Sequence, residues 1–147
     1  MDLHIFGKWD AQTFQPTKPT YAIRIFSSYS QDFDKKPLAT SPFYQRIVEQ
    51  TFDDIWPGSP TFGFQNPTMF SEQMAESIIR DFSAHKDSID VLLVHCARGM
   101  NRSPAVALAL NEIFDLGHDP QMLKTQYPDS TWFVYRTLKE VASKLSL

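Results

Sequence analysis

The sequence predicts an α/β domain with a central, mainly parallel sheet and helices on both faces. Strand-like runs occupy the first half of the chain, and a helix–strand–helix succession fills the second. Ile89-Asp90-Val91-Leu92-Leu93-Val94 is an almost continuous apolar run of strand length, the pattern of a central strand covered on both sides. With 147 residues, 42% of them hydrophobic and 21% charged, the composition is that of a folded chain. No internal repeat, low-complexity tract or composition break divides it, so a single domain over residues 1–147 is expected.

The elements follow in order. Leu3–Phe6 reads as a short strand, and Tyr21–Phe26 as a second, in which Tyr21, Ile23 and Ile25 alternate with Ala22, Arg24 and Phe26. Residues 27–42 are polar and carry Pro37 and Pro42, which predicts a surface loop. Ile47–Phe52 is a third strand, ending at Asp53-Asp54. Trp56–Pro67, with three prolines and two glycines, is a second loop of the kind that often carries function. Met69–His85 repeats Met74, Ile78 and Phe82 every four residues and predicts an amphipathic helix. After the Ile89–Val94 strand, Pro104 suits the first turn of a helix that runs to about Leu116, with Gly117 as its cap. A short helix over Gln121–Gln126 precedes a last one. The latter is capped by Ser130 or Thr131 and carries Val134, Leu138, Val141 and Leu145 on one face.

Fourteen Lys and Arg against seventeen Asp and Glu give a net charge of −3. That balance disfavours stable nucleic-acid or anionic-membrane binding, so any anion site has to be assembled locally. One cysteine excludes an internal disulfide and suits a reducing compartment. Met1–Lys8 has no basic segment followed by an apolar run, and no stretch is long and apolar enough to span a bilayer. A cytoplasmic, monomeric protein is therefore the expectation, with delivery to a host cell left open. His4, His85 and His118 show no ligand spacing among themselves or with Cys96, so neither a metal nor another cofactor is expected.

The chemistry concentrates in His95-Cys96-Ala97-Arg98-Gly99-Met100-Asn101-Arg102-Ser103, between the predicted buried strand and the helix that follows. A loop that leaves a strand and enters a helix can turn its N–H groups and the positive helix end toward an anion. The same field favours thiolate over thiol at Cys96 and makes it a nucleophile. Arg102, six residues on, can curl back to hold two oxygens of a phosphoryl group, Gly99 permits the tight turn, and Ser103 places a hydroxyl beside the sulfur. A lone Cys is more often a buried structural thiol, but an arginine at a helix start is unfavourable unless an anion is near.

His-Cys, five residues, then Arg-Ser, with Gly third after the Cys, resembles the HCxxGxxR(S/T) signature of the cysteine-dependent protein tyrosine and dual-specificity phosphatases. Thr20–Ile25, Phe52-Asp53-Asp54-Ile55 and Val134–Leu138 extend the resemblance to small microbial and phage members. It implies a protein tyrosine phosphatase-like fold and a phosphorylated protein or other phosphomonoester as substrate. It also implies attack by Cys96 to give a cysteinyl-phosphate. Arg102 and the loop amides from Ala97 through Arg98, Gly99, Met100 and Asn101 would bind the phosphoryl oxygens, and His95 would orient the loop. The family's general acid is an Asp on a loop upstream of the Cys; here the candidates are Asp54 and Asp53, with Asp54 preferred. Trp56-Pro57 is followed by Gly58 where the well-known tyrosine phosphatases have Asp.

Other readings compete. A phosphate-binding pseudophosphatase would keep the loop without turnover, and a rhodanese-like sulfurtransferase would lack Arg102 and Ser103 at these positions. Asn101 resembles the loops of RNA 5′-phosphatases, whereas the absence of a loop lysine weakens a phosphoinositide reading. Asn101-Arg102-Ser103 also fits a glycosylation acceptor, which the loop reading opposes. Ser83–Lys86 fits Ser–Lys spacing without its companion motifs. Trp56, Phe62 and Phe64 are candidates to line a substrate cleft.

Overall fold

Strands β1 (Asp2–Phe6), β2 (Thr20–Phe26), β3 (Tyr44–Thr51) and β4 (Val91–His95) form one sheet in the order β1-β4-β2-β3, with every neighbouring pair parallel. The structure is a computed structural model describing residues 1–61, 63 and 65–147. All four strands run the same way, so their carboxyl ends lie along one edge, where sheets of this kind bind ligands. β2 and β4 are buried along their whole length. The alternation in β2 therefore sorts residues between two covered faces, not between core and solvent, and Arg24 is buried along with Ala22 and Phe26.

One face carries α2 (Glu72–His85), α3 (Arg102–Phe114) and α5 (Trp132–Lys144). Their apolar stripes, with Ile78, Phe82, Val106, Leu110, Val134 and Leu138, pack on Tyr21, Ile23, Ile25, Leu92 and Val94. The other face is thinner: Ala11 of α1 (Lys8–Thr13) and Leu38 cover Ala22 and Leu93. α4 (Pro120–Gln126), capped by the Asp119 carboxylate, buries none of its residues. Among the described residues, no helix is long and apolar enough to cross a membrane.

Several boundaries differ from the sequence expectation, each for a local reason. α2 starts at Glu72, not Met69, because the Ser71 hydroxyl accepts the Met74 N–H at 3.2 Å and Phe70 is needed in the core. β3 begins at Tyr44. β4 begins at Val91; Ile89 is buried but lies outside the strand, since the Asp90 and Val91 N–H groups turn to the Pro19 carbonyl. α3 ends at Phe114 on a left-handed Asp115, φ 50°, and Gly117 comes two residues later in the turn. α1 and a 3-10 turn at Asp32–Lys35 were not expected: α1 has six residues and buries only Ala11, leaving no periodic stripe to read.

Phe82 sits at the centre of the larger core, edge-on to Tyr21 at 5.2 Å between ring centroids and 5.1 Å from Phe114. Replacing Phe82 with Ala should cost about 3–5 kcal/mol of stability. A urea unfolding curve of Phe82→Ala should show a lower midpoint at unchanged slope; an unmoved midpoint would contradict this packing.

Candidate active site

The carboxyl ends of β1 and β4 hold the loop from Cys96 to Asn101, and those of β2 and β3 meet Arg102 just beyond it. β4 runs into the loop directly. From β1, the Phe6 carbonyl accepts the Cys96 N–H at 3.2 Å, and the Lys8 N–H donates to the Ala97 carbonyl at 3.1 Å. Gly99 closes the turn at φ +75°, where a Cβ would lie 2.6 Å from the Gly7 nitrogen and 2.7 Å from the Phe6 carbonyl carbon. Only glycine fits both the left-handed backbone and that approach. On the far side, the Asn101 side-chain amide donates to the Asp129 carbonyl at 2.7 Å, and the Asn101 carbonyl accepts the Thr131 N–H at 3.0 Å. The loop is thus strapped at both ends.

Cys96 is buried, and its Sγ lies 3.1 Å from the Ser103 hydroxyl and accepts the Gly99 N–H at 3.3 Å. Burial pushes the thiol up, but the Ser103 hydroxyl and amide, the Arg102 charge and the Gly99 amide together outweigh it, so the thiol is held below its ordinary value. The first turn of α3 contains no acidic residue, so its positive end is left to the sulfur and the loop. Ser103 has one hydroxyl proton and two acceptors, Sγ and the Phe6 carbonyl at 3.4 Å. A thiolate, being charged and nearer, takes it.

Arg102 is buried at the first position of α3. Its Nη1 donates to the Ser27 hydroxyl at 2.9 Å, just past β2, and to the Phe52 carbonyl at 2.8 Å, just past β3. Both bonds use Nη1, and among the described residues no carboxylate lies within ion-pair distance of the guanidinium. The Nε and Nη2 donors are therefore uncommitted. Among the described residues, the N–H groups of Ala97, Arg98, Met100 and Asn101 also have no protein acceptor. Uncommitted amides beside an uncommitted buried cation are what a tetrahedral oxyanion requires.

His95 is fully buried, and its Nε2 accepts the Arg24 Nε–H at 3.0 Å. Nδ1 faces the Cys96 carbonyl at 3.3 Å. Burial chiefly, with a smaller push from the Arg24 charge, lowers His95 to about 4 against the pull of the Cys96 carbonyl, so the ring is neutral at pH 7.

The two carboxylates that the sequence left open are separated by their surroundings. Asp53 is buried and has both oxygens engaged, one by the Ser28 N–H at 2.9 Å and the other by the Thr68 N–H at 2.7 Å. It braces the exit of β2 against the end of the 56–67 loop. Asp54 is exposed and accepts the Thr131 hydroxyl at 2.5 Å. Ser130 or Thr131 was expected to cap the last helix; Thr131 takes the N-cap position of α5, but its hydroxyl serves Asp54 and its amide holds Asn101.

Two clefts flank the loop. One, of about 150 Å³, reaches Cys96 and Ala97 and is lined also by Lys8, Ser27, Tyr29 and Asp34. Lys8 pairs with Asp34 there and holds that carboxyl below its usual range, so Asp34 is ionised and unsuited to donating a proton. The other, of about 310 Å³, lies at the Asn101 end, between Asp54, Trp56, Trp132 and Arg136. Of the loop aromatics expected in a cleft, Trp56 is there; Phe62 and Phe64 lie outside the described residues. Arg98 and Met100 face solvent. Among the described residues, no group of three or more His, Cys, Asp and Glu side chains is placed to hold a metal ion.

The parallel-sheet fold has counterparts among solved structures. A mouse protein described as a dual specificity phosphatase, in complex with zinc tungstate, superposes at a TM-score of 0.52 and 19% identity, covering 85% of this chain and 71% of its own. The chain has a protein tyrosine phosphatase-like fold. Tk-PTP in its active form gives a TM-score of 0.50 at 17% identity, over 98% of this chain and 93% of that one. No family model and no curated protein matches the sequence.

Sequence reasoning missed Arg24, Ser27 and Lys8. Arg24 carried a signal, a charged residue inside an apolar strand run, whereas Ser27 and Lys8 reach this edge only through the strand order. Since the Ser103 hydroxyl is the larger of the specific groups favouring the thiolate, Ser103→Ala should raise the pH midpoint of Cys96 alkylation by iodoacetamide. In the wild type that midpoint should lie below that of a free cysteine, about 8.5; a wild-type midpoint above it would contradict the site's electrostatics.

Proposed function

We propose that this chain is a cysteine-dependent phosphatase of the protein tyrosine/dual-specificity type, hydrolysing phosphate monoesters through a cysteinyl-phosphate. The observation that carries the reading is a buried Cys96 thiol favoured as thiolate, beside a buried Arg102 guanidinium that, among the described residues, no carboxylate neutralises. The tungstate complex of the mouse neighbour supports oxyanion binding on this fold.

In the first step the Cys96 thiolate attacks phosphorus. The S–P bond forms, the bond to the leaving oxygen breaks, and Asp54 gives that oxygen its proton. Arg102 Nε and Nη2 and the loop amides take up charge on the three equatorial oxygens. Asp54 lines the cleft with Trp56, Trp132 and Arg136, so the leaving group extends to that side. In the second step, water attacks phosphorus and gives a proton to Asp54, and the S–P bond breaks. The Ser103 hydroxyl then receives the departing thiolate. No step of this sequence draws on a metal. Asp53 serves as a brace in this scheme, since both its oxygens are engaged by amides.

The test is hydrolysis of aryl phosphates with good and poor leaving groups by the wild type and three variants. Cys96→Ser should be inactive. Asp54→Asn should lose about 10²–10⁴-fold on poor leaving groups and much less on nitrophenyl phosphate. Asp53→Ala should keep its leaving-group dependence while losing about 1–3 kcal/mol of stability, because two buried N–H groups lose their acceptor. Undiminished turnover by Cys96→Ser would sink the covalent route. A wild type that binds tungstate or vanadate without ever turning over would favour the pseudophosphatase.

A further inference from the structure

Arg24 and His95 are register partners on adjacent parallel strands, so their side chains emerge on the same sheet face, the one covered by Ala11 and Leu38. Both are buried. The Arg24 guanidinium is held from several directions: Nη2 donates to the Lys36 carbonyl at 2.6 Å, Nη1 lies 3.6 Å from the Glu49 carboxylate, and its carbon stands 5.0 Å from the centre of the Phe26 ring. With the fork thus fixed, Nε–H points at His95 Nε2. An arginine nitrogen has no lone pair to offer, so in this bond arginine is the donor and Nε2 must be bare.

A bare Nε2 on a neutral ring requires the proton on Nδ1, the atom that faces the Cys96 carbonyl. The opposite tautomer, which an imidazole in water favours, would set two N–H groups against each other at Arg24 and two acceptors at Cys96. We propose that Arg24 is a positioning residue for the chemistry at Cys96: by donating Nε–H to His95 Nε2 it confines the imidazole proton to Nδ1, which fixes the first peptide of the anion loop. Cys96 is also held through its own N–H by the Phe6 carbonyl, so the peptide groups on both sides of its Cα are set before substrate arrives. The inference rests on Cys96 being the reactive group of the proposed phosphatase. The other groups near His95 are the Phe26 ring edge at 6.0 Å, and Lys8, Asp34, Tyr29 and the Cys96 thiol around the shared cleft. Lys8 and Asp34 pair with each other, and Arg24 bonds the ring through its Nε–H.

The experiment follows the His95 ring nitrogens by long-range proton–nitrogen correlation in nitrogen-15-labelled protein across the neutral pH range, beside the pH profile of Cys96 alkylation. The wild type should show Nδ1 protonated and Nε2 bare throughout. Arg24→Met should expose the Nε2–H tautomer or make the ring titrate, and should raise the alkylation midpoint. Arg24→Lys, which keeps a donor and a charge, should restore the wild-type ring signature in part. Turnover of an aryl phosphate by Arg24→Met should fall about tenfold in kcat at nearly unchanged KM. Combined with His95→Gln, it should add little to the loss from His95→Gln alone.

A wild-type ring carrying its proton on Nε2 overturns the proposal, and does so even if Arg24→Met fails to fold. An Arg24→Met protein with unchanged ring signature and alkylation profile overturns it too. Neither readout needs turnover. The predicted ring and alkylation behaviour in a protein without hydrolytic activity would therefore support the role of Arg24 while contradicting the proposed function.

Discussion

The Arg102 guanidinium is buried at the edge of the sheet with, among the described residues, two neutral acceptors and no carboxylate, and much of this end of the molecule is arranged around it. A buried, uncompensated charge costs several kcal/mol. The cost is tolerable here because Ser27 and Phe52, from the ends of β2 and β3, each supply an oxygen. The two strands must therefore end side by side, which the parallel register of β2 and β3 ensures. What Ser27 and Phe52 leave unsatisfied is the net charge itself, and an oxyanion on the loop would supply the balance.

The sulfur poses the opposite problem at the same place. Burial alone would hold Cys96 as a thiol, and only directed hydrogen bonds together with the Arg102 charge reverse that. Such bonds work only if the loop is stiff. Stiffness comes from Phe6 and Lys8 on one side, from Asp129 and Thr131 on the other, and from Gly99 pressed against Gly7. Thr131 links this scaffold to Asp54, so the proposed proton donor and the anion loop share one anchor. His95 and Arg24 add a support beneath the first peptide.

Much of this was legible in the sequence because the signals were local. The apolar Val91–Val94 core of β4, the four-residue rhythm of α2 and the Cys96–Ser103 spacing each announce themselves within a dozen residues. Strand order was not legible, and the roles that depend on it were missed. Arg24 looks like a solvent-facing residue in an alternating strand until β2 is seen between β3 and β4, with Lys36 and Phe26 closing over it. Asp53 and Asp54 are adjacent and chemically identical. Only the amides of Ser28 and Thr68, 25 and 15 residues away, decide which is buried. Thr131 reads as a helix cap by type, yet a long-range partner claims its hydroxyl.

The account's central claim is that Arg102 is kept free of carboxylates so that it can hold an oxyanion above Cys96. Calorimetric titration of tungstate into the wild type and into Arg102→Met, each first shown to be folded by circular dichroism, tests it most directly. The account predicts one tungstate per wild-type chain, with binding that protects Cys96 from alkylation and is lost in the variant. Equal tungstate affinity in the two proteins, or tungstate that binds without protecting Cys96, would contradict it.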